Sequence, residues 1–207
     1  MELLQVLGED GVPTGESLPE AEVHAKGLWH GAVAVWVMRP GDLVLLRRNP
    51  GHDLCDPLRL GPSARAHTAG HGSPSSEAAR AVERQLSIDA LRHGLTLLGT
   101  YAVERRFPGG VDRELQDVYV GWGDEPLEEL TLDPAQVDTV YEVPLARALG
   151  LFEGADVVPA PGFDSMQRVS NALLYEEDLP KSCREALLAQ LRAVEAWVAA
   201  RQATGEH

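Results

Sequence analysis

The chain is predicted to be a mixed α/β protein, because short apolar runs of strand character alternate with two stripes of helical period. Residues 31–38, Gly-Ala-Val-Ala-Val-Trp-Val-Met, read as a buried strand, and Pro40-Gly41-Asp42 is a hairpin turn into a second strand over Leu43–Arg48. Ala78, Ala79, Val82 and Leu86 recur at helical spacing, and so do Leu187, Leu191, Val194 and Val198.

The remaining elements follow in order. Residues 2–7 alternate weakly and stop at Gly8-Glu9-Asp10-Gly11, a strand and a turn. Pro19 to His24 is a short helical turn. Residues 49–69 are rich in Gly, Pro, Asp and His without a period, and read as a long loop of the kind that often carries function. A Ser-Pro-Ser-Ser cap opens a helix over 75–86. Strands are expected near 96–105 and 114–122, joined at Pro108-Gly109-Gly110, then a strand over 137–142 and a helix over 144–153 ended by Gly154. From Asp164 onward the composition turns to helix formers, with an amphipathic helix over 180–201. Its stripe can cover a sheet face, edge a pocket or build a homodimer interface; covering is expected, since an exposed stripe of that length would not stay monomeric and soluble. Residues 202–207 are expected to fray. The chain thus divides into a main domain, 1–160, and a helical extension, 161–207, packed on it.

The 207 residues suit one sizeable domain, alone or with an appendage, and 44% are apolar. A net charge of −14 without a clustered basic patch argues against nucleic-acid binding. No apolar run has the length of a membrane span, and the N-terminus lacks signal-peptide character, so no membrane partner and a cytoplasmic location are expected. Cys55 and Cys183 are far apart without metal-type spacing and are expected to be free thiols. An acidic protein holds a phosphorylated metabolite when a metal or local arginines reverse the potential. Arg47, Arg48, Arg59, Arg65, Arg105 and Arg106 are therefore of interest.

The stretch Gly70-His71-Gly72-Ser73-Pro74-Ser75-Ser76-Glu77-Ala78-Ala79-Arg80-Ala81-Val82-Glu83-Arg84-Gln85-Leu86-Ser87-Ile88 resembles a Nudix box, the loop and helix that hold magnesium beneath a diphosphate. Matching Arg80 to the Arg of the pattern places Ala81, Arg84 and Gln85 at its three helix glutamates and Ser87 at its Gly. The loop is also shorter than usual. Magnesium takes oxygen ligands, and carboxylates sharing one helical face normally supply them. Here Glu77 and Glu83 remain, on largely opposite sides of the helix. The box is therefore degenerate.

The N-terminal run Glu2-Leu-Leu-Gln-Val-Leu-Gly-Glu-Asp-Gly-Val-Pro-Thr-Gly15, with His24-Ala-Lys-Gly-Leu-Trp-His30-Gly-Ala-Val-Ala-Val-Trp-Val37 and Leu45-Leu-Arg-Arg-Asn-Pro50, resembles the Nudix branch related to isopentenyl-diphosphate isomerase. The match runs from about residue 2 to residue 153. The resemblance implies an α/β/α sandwich with a mixed curved sheet against which the box helix packs. It also implies a histidine-rich metal site: His24 and His30 match the two N-terminal histidines, His71 the histidine of a Cys-Gly-His, and Asp112 and Glu114 the paired glutamates of a later strand. Ala69 stands where that cysteine belongs, so isomerase activity is not expected.

Two functions follow from the resemblance. One is a Nudix hydrolase that cleaves a diphosphate linked to another moiety, weakened by loss of box glutamates, with Glu77, Glu83 and Arg80 in catalytic roles, Arg47, Arg48 and Arg84 on the substrate phosphates, and Mg2+ or Mn2+ as cofactor. The other is an inactive Nudix-fold module that binds a phosphorylated ligand or a protein, since Arg84 at a ligand position repels a metal and can meet a phosphate. The histidine set adds a third reading, an enzyme of zinc or manganese.

Overall fold

The structure is a computed structural model and describes residues 3–68, 72–89, 92, 94–155 and 157–204. Its axis is the strand β3 (Trp29–Arg39), which is buried nearly throughout. Ala34, Trp36 and Met38 enter one core, and Val33, Val35 and Val37 enter another on the opposite face. Both faces are covered, so the strand reads as a continuous apolar run and not as an alternating one. The sheet is the middle layer of an α/β/α sandwich.

Before β3 come β1 (Leu3–Leu7), β2 (Pro13–Pro19) and helix α1 (Glu20–Lys26). After it come β4 (Leu43–Arg48), β5 (Leu60–Gly61), β6 (Ala64–His67), α2 (Pro74–Leu86), β7 (Leu95–Phe107) and β8 (Gly110–Trp122). β8 runs parallel to β3 from Arg113 to Trp122, and β7 returns antiparallel along β8. The other edge of β3 is shared by β1, β6 and β4, each antiparallel to a different part of it. β4 diverges from β3 after two residue pairs and continues into β9 (Thr139–Pro144). The segment from Leu60 to His67 crosses this divergence, pairing first with β4 as β5 and then with β3 as β6. The sheet is thus mixed and opens beside β3.

Helix α2 starts where its cap predicts: the Ser73 side chain accepts from the Ser76 amide, and Pro74 fills the first turn, where its missing N–H costs nothing. Ala78, Ala79, Ala81, Val82 and Leu86 pack it on the Val33–Val37 face. It ends at Ser87, whose φ of 55° is left-handed, at the position where the family pattern has Gly. Helix α3 (Leu145–Phe152) and the long helix α4 (Arg184–Thr204) cover the opposite face through Leu149, Leu187, Leu191, Val194 and Val198. The stripe read from the sequence therefore covers a sheet face. No helix among the described residues is long and apolar enough to cross a membrane.

Two stretches differ from the sequence expectation. The loop over 49–69 contains β5 and β6, which are too short to show a period. Residues 161–174 are not helical: β10 (Val158–Asp164) and β11 (Val169–Leu174) form a hairpin that extends the sheet beyond β9. Pro159 and Pro161 hide the strand from pattern reading. They fall where β10 pairs with β11 alone, so an absent N–H on the open side is tolerated. A boundary at residue 160 accordingly falls inside a strand, and α4 shares its core with Trp36 and Val118 of the central sheet.

Truncating Leu191, fully buried in that shared core, to alanine is expected to cost about 2–5 kcal/mol in one cooperative unfolding transition. Denaturant titration followed by tryptophan fluorescence and circular dichroism checks this; a separate early loss of α4 alone would contradict it.

Candidate functional site

Four elements bring ligand-type side chains to one end of β3. His30 lies near the start of β3, and the parallel register sets it beside Glu114 of β8, with Asp112 one residue pair beyond Arg113. On the other edge, β6 ends at His67, the partner of Ala32. Helix α1 contributes His24, buried near its C-terminus. The three imidazole centroids are 5.2, 5.3 and 4.9 Å apart. One ligand atom each from His24, His30, His67 and Asp112 all lie within 4.8 Å of one another.

His24 Nε2, His30 Nε2 and Asp112 Oδ1 are buried without a hydrogen bond among the described residues. The two nitrogens stand 3.5 and 3.3 Å from Asp112 Oδ1, close enough for attraction but misaligned for hydrogen bonding. Buried polar atoms are rarely left unpartnered, and three aimed at one point are what a shared cation would satisfy. His30 Nδ1 lies 3.2 Å from the Leu28 carbonyl oxygen. A carbonyl only accepts, so Nδ1 is the donor there, and in the neutral ring Nε2 is left with its lone pair. Imidazoles with a carboxylate suit zinc or manganese better than the all-oxygen shell magnesium prefers.

Arg105 of β7, register partner of Asp112, holds the acidic side of the cluster. Its Nε and Nη2 donate to Asp112 Oδ2 at 3.1 and 2.8 Å, and Nη2 lies 2.5 Å from Glu114 Oε2. Burial is the largest single effect and would raise both carboxyl pKa values, but the Arg105 charge and the neighbouring imidazoles together outweigh it and hold both well below the carboxylate range. With Oδ2 engaged, Asp112 presents Oδ1 to the imidazoles. Glu114 Oε1 lies 3.1 Å from His67 Nε2. Burial pulls the His67 pKa down, yet the hydrogen bond and charge of Glu114 prevail and raise it. At His24 burial prevails over Asp112 and lowers the pKa.

His24, His67, Asp112 and Glu114 line a cavity of about 480 Å³ together with Arg47, Arg65 and Arg84, while His30 lies behind this lining. Arg47 is 2% exposed; it donates to Gln85 Oε1 at 3.0 Å and Asn49 Oδ1 at 2.9 Å, and its Nε has no hydrogen-bond partner among the described residues. No ion pair to Arg47 is found among the described residues, and burial, reinforced by the Arg65 charge, pushes its pKa down to about 9. It remains cationic at neutral pH. Arg48, its neighbour, points to the opposite face as strand alternation requires, and donates to Asp178 and Tyr141 and not into the cavity. Gln85 stands where the resemblance to a Nudix box expects a glutamate, and its environment suits an amide. Its Oε1 accepts from Arg47, and its Nε2 donates to the Arg65 carbonyl at 2.6 Å, a bond that a carboxylate cannot make.

On α2, Ala81 is packed in the core, Arg84 is exposed at the cavity rim, and Glu77 lines the cavity while accepting from Arg80 at 2.7 Å. Glu83 is exposed and lines a shallower groove of about 300 Å³ over α2 and not this cavity. Cys55 lies at the edge of the cavity, where burial and then Asp112 push its thiol up to about 12, so it stays protonated. His71 and Ala69 lie outside the described residues. The third imidazole is His67, which the sequence reading did not select. The alternation Ala64-Arg65-Ala66-His67 was the available signal, since it sends Arg65 and His67 to one face of a strand.

No protein-family model matches the chain. A protein of Clostridium acetobutylicum described as an uncharacterized Nudix hydrolase is 27% identical over 147 residues, spanning 69% of this chain and 70% of that one. Among solved structures, DR0079 from Deinococcus radiodurans superposes with a TM-score of 0.57 at 13% identity, over 72% of this chain and 87% of that one. A C. elegans Ap4A hydrolase, solved as a binary complex, superposes with a TM-score of 0.51 at 13% identity, over 82% of this chain and 98% of that one. With its central mixed sheet, the α2 that follows β6 and these neighbours, the chain has the Nudix fold.

Proposed function

We propose that the chain is a Nudix hydrolase that cleaves a phosphoanhydride in a small phosphorylated metabolite, with its divalent ion held by His24, His30, His67 and Asp112 and not by α2. The observation that carries this reading is the cluster of three buried atoms without hydrogen bonds among the described residues, His24 Nε2, His30 Nε2 and Asp112 Oδ1, two of whose residues, His24 and Asp112, line the same cavity as Arg47, a cation with no ion pair among those residues. The similarity to a curated Nudix hydrolase supports the reaction class. The box on α2 is degenerate: Ala81, Arg84 and Gln85 replace its acidic cage, and their environment is apolar or cationic.

A divalent ion in the histidine site would polarise a phosphoryl oxygen and acidify a bound water. The chain's own residues supply the rest. Arg47 and Arg84 bind the phosphate oxygens, the first as a fixed, dehydrated donor and the second as a mobile one at the rim. Arg105 keeps Asp112 and Glu114 ionised. Glu77, steadied by Arg80, is the carboxylate of α2 that lines the cavity, and it takes the proton from the attacking water. Arg48 is assigned no contact with substrate, and Glu83 no proton transfer, because neither lines the cavity. The C. elegans neighbour is named for Ap4A, so dinucleoside polyphosphates belong beside nucleoside and isoprenoid diphosphates in the substrate panel.

Incubation of the protein with that panel and manganese or zinc is expected to release phosphate or a monophosphate, with release abolished by a chelator. His30→Ala and Asp112→Asn are each expected to weaken metal binding at least tenfold, roughly the size of losing even an outer-shell partner. Absence of release above a buffer blank with every ion would reject the hydrolase reading.

Arg47→Met is expected to raise KM for the diphosphate about tenfold or more, about 1.4 kcal/mol of binding. Unfolding stability should change by less than about 2 kcal/mol, since a buried charge without an ion pair contributes little to folding. A large loss of stability with KM unchanged would make Arg47 a structural residue.

A further inference from the structure

Gln190 is a fully buried amide within the apolar stripe of α4. Such a group is tolerated when its donor and acceptor are both satisfied. Its Oε1 accepts from the Trp36 indole Nε1 at 3.1 Å, and its Nε2 donates to Gln116 Oε1 at 3.0 Å. Gln116, itself buried on β8, donates its own Nε2 to Glu114 Oε2. The direction of the chain is forced from both ends, because an indole N–H only donates and an ionised carboxylate only accepts. Each amide has one orientation that satisfies its neighbours. Glu114 Oε2 is then shared by Gln116 and Arg105, and Oε1 is left facing His67.

We propose that Gln190 is a positioning residue for the metal-ion site: helix α4, which contributes no side chain to the cavity, sets the orientation of Glu114, and through it His67, by way of the Gln116 amide. This inference rests on the reading of the histidine cluster as a metal centre. A role confined to satisfying Trp36 makes a different prediction. In Gln190→Glu the new carboxylate still accepts from the indole, so a role of that kind would leave Glu114 untouched. In the relay, the same substitution turns the Gln116 amide round and sets its oxygen against Glu114. The shape of the core is unchanged.

The test uses the full chain, with zinc binding measured by calorimetry and the Gln116 side-chain amide and His67 ring nitrogens followed by NMR. The wild type is expected to show a slowly exchanging, downfield Gln116 amide proton. Gln190→Glu should lose that signal, shift the His67 ring nitrogens and bind zinc about tenfold more weakly. Leu191→Ala, a neighbour on α4 that lowers stability without touching the relay, should keep the signal and the zinc affinity. Retention of the Gln116 signal or of wild-type zinc affinity in Gln190→Glu overturns the proposal. If Gln190→Glu does not fold, Gln190→Met, which removes the acceptor and the donor together, decides by the same criteria. If the wild type binds no zinc, the metal reading falls, and the Gln116 and His67 signals alone decide the relay.

Discussion

Two carboxylates, Asp112 and Glu114, are buried in one wall of the protein, and the Arg105 guanidinium between them makes that tolerable. Like charges at this separation in a desolvated wall would otherwise force one to take up a proton. Breaking such a buried arrangement by removing the cation typically costs about 3–5 kcal/mol. With Arg105 in place the outer oxygen of each carboxylate is engaged and the inner one points at an imidazole. The histidine cluster, the cavity and the relay to α4 all build on this one interaction. Arg105 and Asp112 are directly paired in the antiparallel register of β7 and β8, so the strand pairing itself places the ion pair.

The sheet supplies the space. A central strand whose second edge is divided among three partners cannot stay flat, and β4 leaves it after two pairs. The crossing segment from Leu60 to His67 lies over the opening, with Arg65 and His67 directed to one face. Carboxylates and imidazoles reach the cavity from α1, β6, β8 and α2, and cations from β4, β6 and α2. In the proposed function, a phosphorylated substrate would meet these cations directly and the carboxylates and imidazoles by way of a divalent ion.

Much of this was legible in the sequence. Continuous apolar character marked β3 as a buried strand, the turn at Pro40-Gly41-Asp42 marked β4 after it, the Ser73 cap marked the start of α2, and the stripe of Leu187, Leu191, Val194 and Val198 marked a helix that covers a sheet. The hairpin of β10 and β11 was hidden by two prolines whose tolerance depends on which edge is open, a fact of pairing and not of local sequence. His24, His30 and Asp112 converge with His67, which was passed over because β6 is four residues long and sits in a segment dominated by turn formers; His71 lies outside the described residues. Arg47 and Arg48, equivalent in sequence, are separated by nothing more than strand alternation. The part played by Gln85 could be seen only with the Arg65 carbonyl and the Arg47 guanidinium in place.

The proposed chemistry depends on where a divalent ion binds. Anomalous diffraction from crystals grown with manganese and a non-hydrolysable diphosphate tests it most directly. A peak among His24, His30, His67 and Asp112, at roughly 2.0–2.2 Å from their donor atoms, is the predicted result. A peak beside Glu77 on α2, with none among the imidazoles, would contradict it.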